Sequence, residues 1–432
     1  MDRKKILTKN ISLGVLYKFL SLILVFTTIP NLLNYLEVEQ YGIWVTIFSL
    51  INIVLFIDGG IGNGLKTKLS EAISLKDYKL AKTYITTAYI SIGFISIILF
   101  LIGSLFIYFL KLQNVFNTDV LTETELKAIL YVTLFLVVTG FVLNLFKSFY
   151  YANQQASKVE LAMMLYQLII LLTVFILLNF FTRNLLYVAI LYGGSNIIIS
   201  LIFTLIFFKK NKKLIPAITF FSKNRVKDLM GLSLGFFIIQ LSMIVIYTTD
   251  SLIITNLLGP AEVTNYDIVY KLFQVIITIS VIAQDPFWAL YTDAFQKKDF
   301  DWIKKTIIRL NKLFVLFSFF IFILYIIAED VIKFWLQRDL LLENSLLFYM
   351  SFFILIRVYG IIYMSFLNAI GIIKLQMWLY VFGALINIPI SIFLVKYFNL
   401  GSSGVILGTI VSILGLSVFL PFQTYKILKK QF

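Results

Sequence analysis

The chain has 432 residues, of which 60% are apolar and only 14% charged, with a formal net charge of +15. Water-soluble domains carry about 45–50% apolar and about 25% charged residues, so this composition excludes a chain whose main solvent is water. It contains no cysteine and no histidine, which removes disulfide and thiol chemistry along with the commonest general base and metal ligand, and weighs against an enzyme.

Apolar runs of the roughly 20 residues needed to cross a bilayer recur from end to end. In chain order they predict spans over 11–33, 41–64, 84–110, 128–149, 159–181, 185–208, 229–257, 263–290, 306–328, 342–366, 374–398 and 402–425. The runs are continuously apolar and do not alternate, which predicts helices and excludes barrel strands. The expected fold is all-α, a polytopic membrane protein of about twelve transmembrane helices. The first run follows Arg3, Lys4 and Lys5, but it is longer than a signal-peptide core and runs into Pro30 without a small-residue cleavage site, so a retained helix is expected.

The longest connection, Lys209 to Lys227, holds seven basic residues and Pro216 and falls midway along the chain. It divides the sequence into an N-terminal six-helix bundle over 1–208, a basic cytoplasmic linker over 209–228 and a C-terminal six-helix bundle over 229–432. An even number of spans gives both halves one orientation, so a repeat between them is parallel. With the N-terminus inside, most of the 37 Lys and Arg fall on cytoplasmic segments. The positive-inside rule then places both termini in the cytoplasm, and the net charge reflects topology and contact with anionic lipid, not a nucleic-acid partner.

Three echoes support the repeat. Lys76-Asp77-Tyr78-Lys79 follows the second span as Lys298-Asp299-Phe300-Asp301 follows the eighth. The fourth span ends on Ser148-Phe149 and Ala152 before Lys158, the tenth on Ser365-Phe366 and Ala369 before Lys374. Glu39, Tyr41 and Ile43 open the second span, and Glu262, Tyr266 and Ile268 the eighth.

The stretch Gly59 to Thr67, GGIGNGLKT, nearly spells a phosphate-binding loop, but Leu65 separates Gly64 from Lys66 and a membrane helix precedes it where a strand is required. No nucleotide, metal or other cofactor is expected; the glycines instead predict a bend at a helix end or a close backbone approach at the cytoplasmic mouth. Charges inside spans carry more information, since burying one costs about 2.5–3.5 kcal/mol on insertion scales. Lys18, Lys271 and Arg357 lie at different depths and would form a ladder for an anion, most naturally a phosphate or diphosphate. Local pairing is the alternative, because Asp267 precedes Lys271 by one turn. Asp58, Asp250, Asp267 and Asp285 are the candidates for ion coupling or gating. Asp58 and Asp285 lie near the inner boundary, where structural carboxylates are the commoner case, with Asp285-Pro286 marking a bend. Tyr17, Trp44 and Tyr270 neighbour these charges.

The segments NLLNYLEVEQYGIWVTIFSL from Asn31 and DGGIGNGLKTKLSEA from Asp58 resemble those of bacterial O-antigen and capsule repeat-unit flippases in the multidrug/oligosaccharidyl-lipid/polysaccharide exporter superfamily. Helix number and parallel repeat extend the resemblance along the chain, with residue-level likeness clearest over the first 90 positions. It implies translocation of an undecaprenyl-diphosphate-linked oligosaccharide across the cytoplasmic membrane by alternating access, without bond-making chemistry. Lys18, Lys271 and Arg357 would fill the family's role of cavity cations. The implied partners are that lipid-linked glycan, membrane lipids and polysaccharide polymerase machinery. A cation-coupled drug exporter of the same fold is the alternative, with acids dominating its cavity. A membrane polysaccharide polymerase would need a sizeable extracytoplasmic loop, and the stretches near 111–127 and 329–341 are short for one.

Overall fold

In a computed structural model, residues 3–55, 61–230, 234–284 and 287–429 are described. Among them eleven helices are long and apolar enough to cross a membrane, and a helix is the only open element whose backbone is satisfied without water. The first, α1 (Arg3–Leu55), runs for 53 residues, about 80 Å at 1.5 Å per residue, more than twice the hydrocarbon thickness. It breaks at Glu37, whose φ of 60° is left-handed, so α1 carries two crossings and the predicted twelve spans are accommodated.

There follow α2 (Ile61–Ser74), α3 (Tyr78–Phe109), α4 (Leu112–Phe116), α5 (Glu123–Leu143), α6 (Phe146–Ala152), α7 (Ala156–Phe180), α8 (Leu185–Lys210) and α9 (Lys223–Met230). Beyond them come α10 (Leu234–Leu258), α11 (Pro260–Gln284), α12 (Phe287–Gln296), α13 (Phe300–Leu336), α14 (Asn344–Ala369), α15 (Lys374–Phe398) and α16 (Gly401–Lys429). The chain divides into two compact units, Met1–Leu234 and Gly235–Phe432.

In the first unit α1 packs along α7, and α5 along α3 and α8. Turns at one end are tied together: Tyr35 donates from its hydroxyl to the Thr182 carbonyl, Thr118 donates to Glu39, and Arg183 pairs with Glu37. A capping box of Thr122 and Glu125 starts α5 at that end. At the other end Ser148 donates to the Gly62 carbonyl at 2.8 Å, and Lys66 lies over the Tyr151 ring. The connection between α8 and α9 lies along α3, where the Ala217 and Ser222 amides donate to Thr86 and Thr87, each at 3.2 Å. Leu214 and Leu229 are buried. A Cβ at Gly64 would stand 1.9 Å from the Leu229 carbonyl oxygen, so α2 and α9 meet backbone to backbone as the glycine-rich stretch predicts. Gly59 and Gly60 lie outside the described residues.

The second unit is held by α11 and α16 against α14, and by α15 against α16. The α15–α16 seam is lined by small residues: a Cβ at Gly383 would meet the Ser412 carbonyl oxygen at 2.3 Å, and one at Gly408 the Ser391 hydroxyl at 2.3 Å. Close approach replaces a hydrophobic driving force that lipid cannot supply.

Four breaks recur in both units, while those at Asn399 and Gly401 of the second have no counterpart among the described residues of the first. Left-handed residues end corresponding elements at Glu37 and Gly259, Lys76 and Lys298, Asn117 and Gln337, and Gln154 and Gly371. After the second pair, Asp77 accepts from the Leu80 amide and Asp299 from the Trp302 amide, so the Lys-Asp echo is one cap used twice. The serine–alanine echo shares the 217-residue spacing of Gln154 and Gly371. The third echo does not keep register: Glu37 and Gly259 are 222 residues apart, which sets Glu262 opposite Gln40, not Glu39.

Candidate functional site

Arg357 occupies the middle of α14, half-buried, with its guanidinium carbon 4.0 Å from the centre of the Tyr247 ring of α10. The Phe353 ring, one turn back, lies 6.0 Å away, and Tyr270 of α11 packs on Phe353 at 6.3 Å between centroids. An aromatic face attracts a desolvated cation by about 2 kcal/mol, but it accepts no strong hydrogen bond. The Arg357 Nε and Nη1 are buried without partners among the described residues, the Tyr247 hydroxyl lies close enough to the guanidinium and to Tyr380 to interact with both, and no carboxylate pairs with Arg357 there. This guanidinium therefore keeps donors that no described residue satisfies.

The other two cations have acids beside them. Lys271 pairs with Asp267 at 2.7 Å along α11, the local pairing that their spacing allows. Lys18 of α1 lies 3.9 Å from Glu160 of α7, and Lys147 is close enough to Glu160 to interact with it. Lys18 belongs to the first unit, Lys271 and Arg357 to the second. Asp58 and Asp285 lie outside the described residues.

Asp250 is buried on α10, three residues after Tyr247. Its Oδ2 accepts from the Tyr266 hydroxyl at 2.6 Å, and both carboxylate oxygens lie 3.1 Å from the Thr409 hydroxyl. Asn387 donates from Nδ2 to Thr409 at 3.1 Å. One carboxylate thus joins α10, α11, α15 and α16 through oxygen-bearing groups, with no cationic side chain paired to it among the described residues. Hard oxygen ligands suit a proton or a small monovalent cation. No cluster of three or more metal-ligating acids, histidines or cysteines occurs among the described residues.

Tyr247, Asn387 and Thr409 are the residues that sequence reading passes over. An asparagine or threonine inside an apolar run is a weaker form of the signal that singles out Arg357, and a tyrosine among 24 gives none.

A family model described as polysaccharide biosynthesis protein matches residues 7–284. The chain belongs to this family. A second model, MatE, matches residues 236–393. Among its relatives, a Yersinia pseudotuberculosis protein named "Putative O-antigen export protein" is 24% identical over 424 residues, 94% of this chain and 93% of that one. A Salmonella typhimurium protein named "Putative O-antigen transporter" is 28% identical over 205 residues, 46% of each chain. The inward-facing structure of a multidrug resistance MATE family transporter of the MOP superfamily superposes with a TM-score of 0.74, 15% identity and 96% coverage of each chain. A MOP superfamily transporter from Pyrococcus furiosus gives 0.62 at 15% identity, covering 98% of this chain and 94% of that one. At such identities the likeness is one of fold. Family, relatives and fold agree on a polytopic membrane transporter of the polysaccharide biosynthesis family.

Proposed function

We propose that this family member is a flippase that carries undecaprenyl-diphosphate-linked oligosaccharide repeat units across the bacterial cytoplasmic membrane, by alternating access, for O-antigen or capsule biosynthesis. The observation that carries the reading is Arg357, a cation on a membrane-crossing helix whose Nε and Nη1 are buried and unbonded. A diphosphate offers the planar, bidentate acceptor that a guanidinium fits. Lys271, in the same unit, assists by releasing Asp267 as the headgroup arrives. The glycan travels through water and the polyprenyl tail stays in lipid, with no bond made or broken. Both termini are cytoplasmic, and the delivered unit passes to polysaccharide polymerase machinery.

The test places Arg357→Ala and Arg357→Lys in a host lacking its own copy and measures surface polysaccharide and the lipid-linked unit at equal protein level. Export should fall by about tenfold or more for Arg357→Ala, the equivalent of the ~1.5–3 kcal/mol supplied by hydrogen bonds to a charged group, with units accumulating inside. Arg357→Lys should keep part of it. Undiminished export in Arg357→Ala removes the proposed role. The buried Asp250 favours a second reading, a cation-coupled drug exporter; there, deleting the gene leaves polysaccharide intact and raises sensitivity to cationic drugs.

A further inference from the structure

The lipid-facing strip of α8, exposed at Ile198, Leu201, Ile202, Leu205 and Ile206, ends at Lys209 and Lys210. There the hydrocarbon stops and the headgroup layer begins. The chain does not leave that level for solvent. It turns along the first helical turns of α3, held by the Ala217 and Ser222 amides on Thr86 and Thr87 and by Phe220 beneath the Lys82 ammonium at 4.5 Å. Leu214 is buried against the bundle. Ile215, Ile218 and Phe221, three residues apart, are instead exposed, Ile218 to 81%. Lys212, Lys213 and Lys223 stand exposed around them, and Leu75, Lys76, Tyr78 and Lys79 extend the surface at the start of α3. Residues 211–222 carry no acid, and the next acid along, Asp228 on α9, is engaged by Arg225 at 2.8 Å and Tyr84 at 3.2 Å, so nothing on the segment neutralises its lysines.

We propose that residues 211–222 form an interfacial anchor for anionic phospholipid, with Ile215, Ile218 and Phe221 inserted at the acyl boundary and Lys212 and Lys213 on headgroup phosphates. Apolar side chains spaced among cations fit a negatively charged leaflet and fit neither water nor a zwitterionic surface as well. The inference is independent of the transported substrate.

The chain has no cysteine, so Ile218→Cys in the full-length protein provides a unique site for an environment-sensitive fluorophore. In proteoliposomes of phosphatidylcholine with phosphatidylglycerol, the emission should shift to the blue relative to the dye on free cysteine in buffer. Spin-labelled phosphatidylglycerol should quench it more strongly than spin-labelled phosphatidylcholine. Adding Lys212→Gln and Lys213→Gln should lower that preference about fivefold per lysine, equivalent to ~1 kcal/mol for each cation at an anionic surface. Aqueous emission overturns the anchor. A blue shift without quenching by either lipid overturns it too, because the segment is then covered by protein. Equal quenching by the two lipids overturns the preference for anionic headgroups.

Discussion

Arg357 and Asp250 are charges of opposite sign in one unit, and among the described residues neither pairs with an oppositely charged side chain. Apolar residues there would insert into lipid at less cost, so the presence of these charges fits the proposed exogenous partners, an anion at one and a coupling cation or proton at the other. Asp250→Asn keeps an acceptor for Tyr266 and Thr409 while abolishing the charge. Wild-type protein in proteoliposomes should transport faster under an imposed sodium or proton gradient, and Asp250→Asn should transport at one rate with or without it; equal stimulation of both removes the coupling role. At this scale the sequence is legible where one residue breaks a pattern. Arg357 interrupts an apolar run, and the four-residue spacing of Asp267 and Lys271 announces their pair. The Lys18–Glu160 contact joins helices 142 positions apart in the chain, and the partners of Asp250 come from two other helices, with Asn387 of a third bonded to one of them. Such contacts exist only after packing.

At the scale of elements, helix existence and length follow from apolar runs, but breaks and docking do not. The break in α1 falls on Glu37, neither glycine nor proline, and is held by the ion pair to Arg183 and by the ties at Tyr35 and Glu39. The connection before α9 announces its charge by composition; its attachment to α3 uses backbone amides and threonine hydroxyls that composition does not reveal. The same attachment gives a pH dependence. The hydrogen bond from Arg225, then that from Tyr84, holds the Asp228 carboxyl below the usual carboxylate range. A carboxyl whose pKa is depressed on folding contributes stability above its unfolded pKa and loses it as pH falls through the folded one. Asp228→Asn should therefore lower the thermal midpoint of purified protein at neutral pH by a small amount, as exposed ion pairs do. The deficit should shrink to nothing as acid protonates the wild-type carboxyl. A deficit that stays constant with pH assigns the effect to something other than this charge.

For the whole molecule, alternation of crossings sorts connections into two sets, and the proposed orientation assigns each set to a side. In the cysteine-free chain, Asp119→Cys and Leu341→Cys should react with a membrane-impermeant maleimide on intact cells. Lys79→Cys and Lys223→Cys, also exposed, should react only after permeabilisation. The reverse pattern inverts the proposed topology, and labelling of all four from outside rejects the assigned crossings. The left-handed breaks carry a longer history. Glu37 with Gly259 and Lys76 with Lys298 are 222 residues apart, Asn117 with Gln337 are 220, and Gln154 with Gly371 are 217. A gene that doubled and then lost two codons, and later three, from its second copy would leave this staircase. The first loss falls within the stretch where α13 does in one helix what α3 and α4 do in two, and the second within the stretch leading through α14, unbroken where α5 and α6 are separate. A repeat of this kind shows in backbone dihedrals where few side chains coincide.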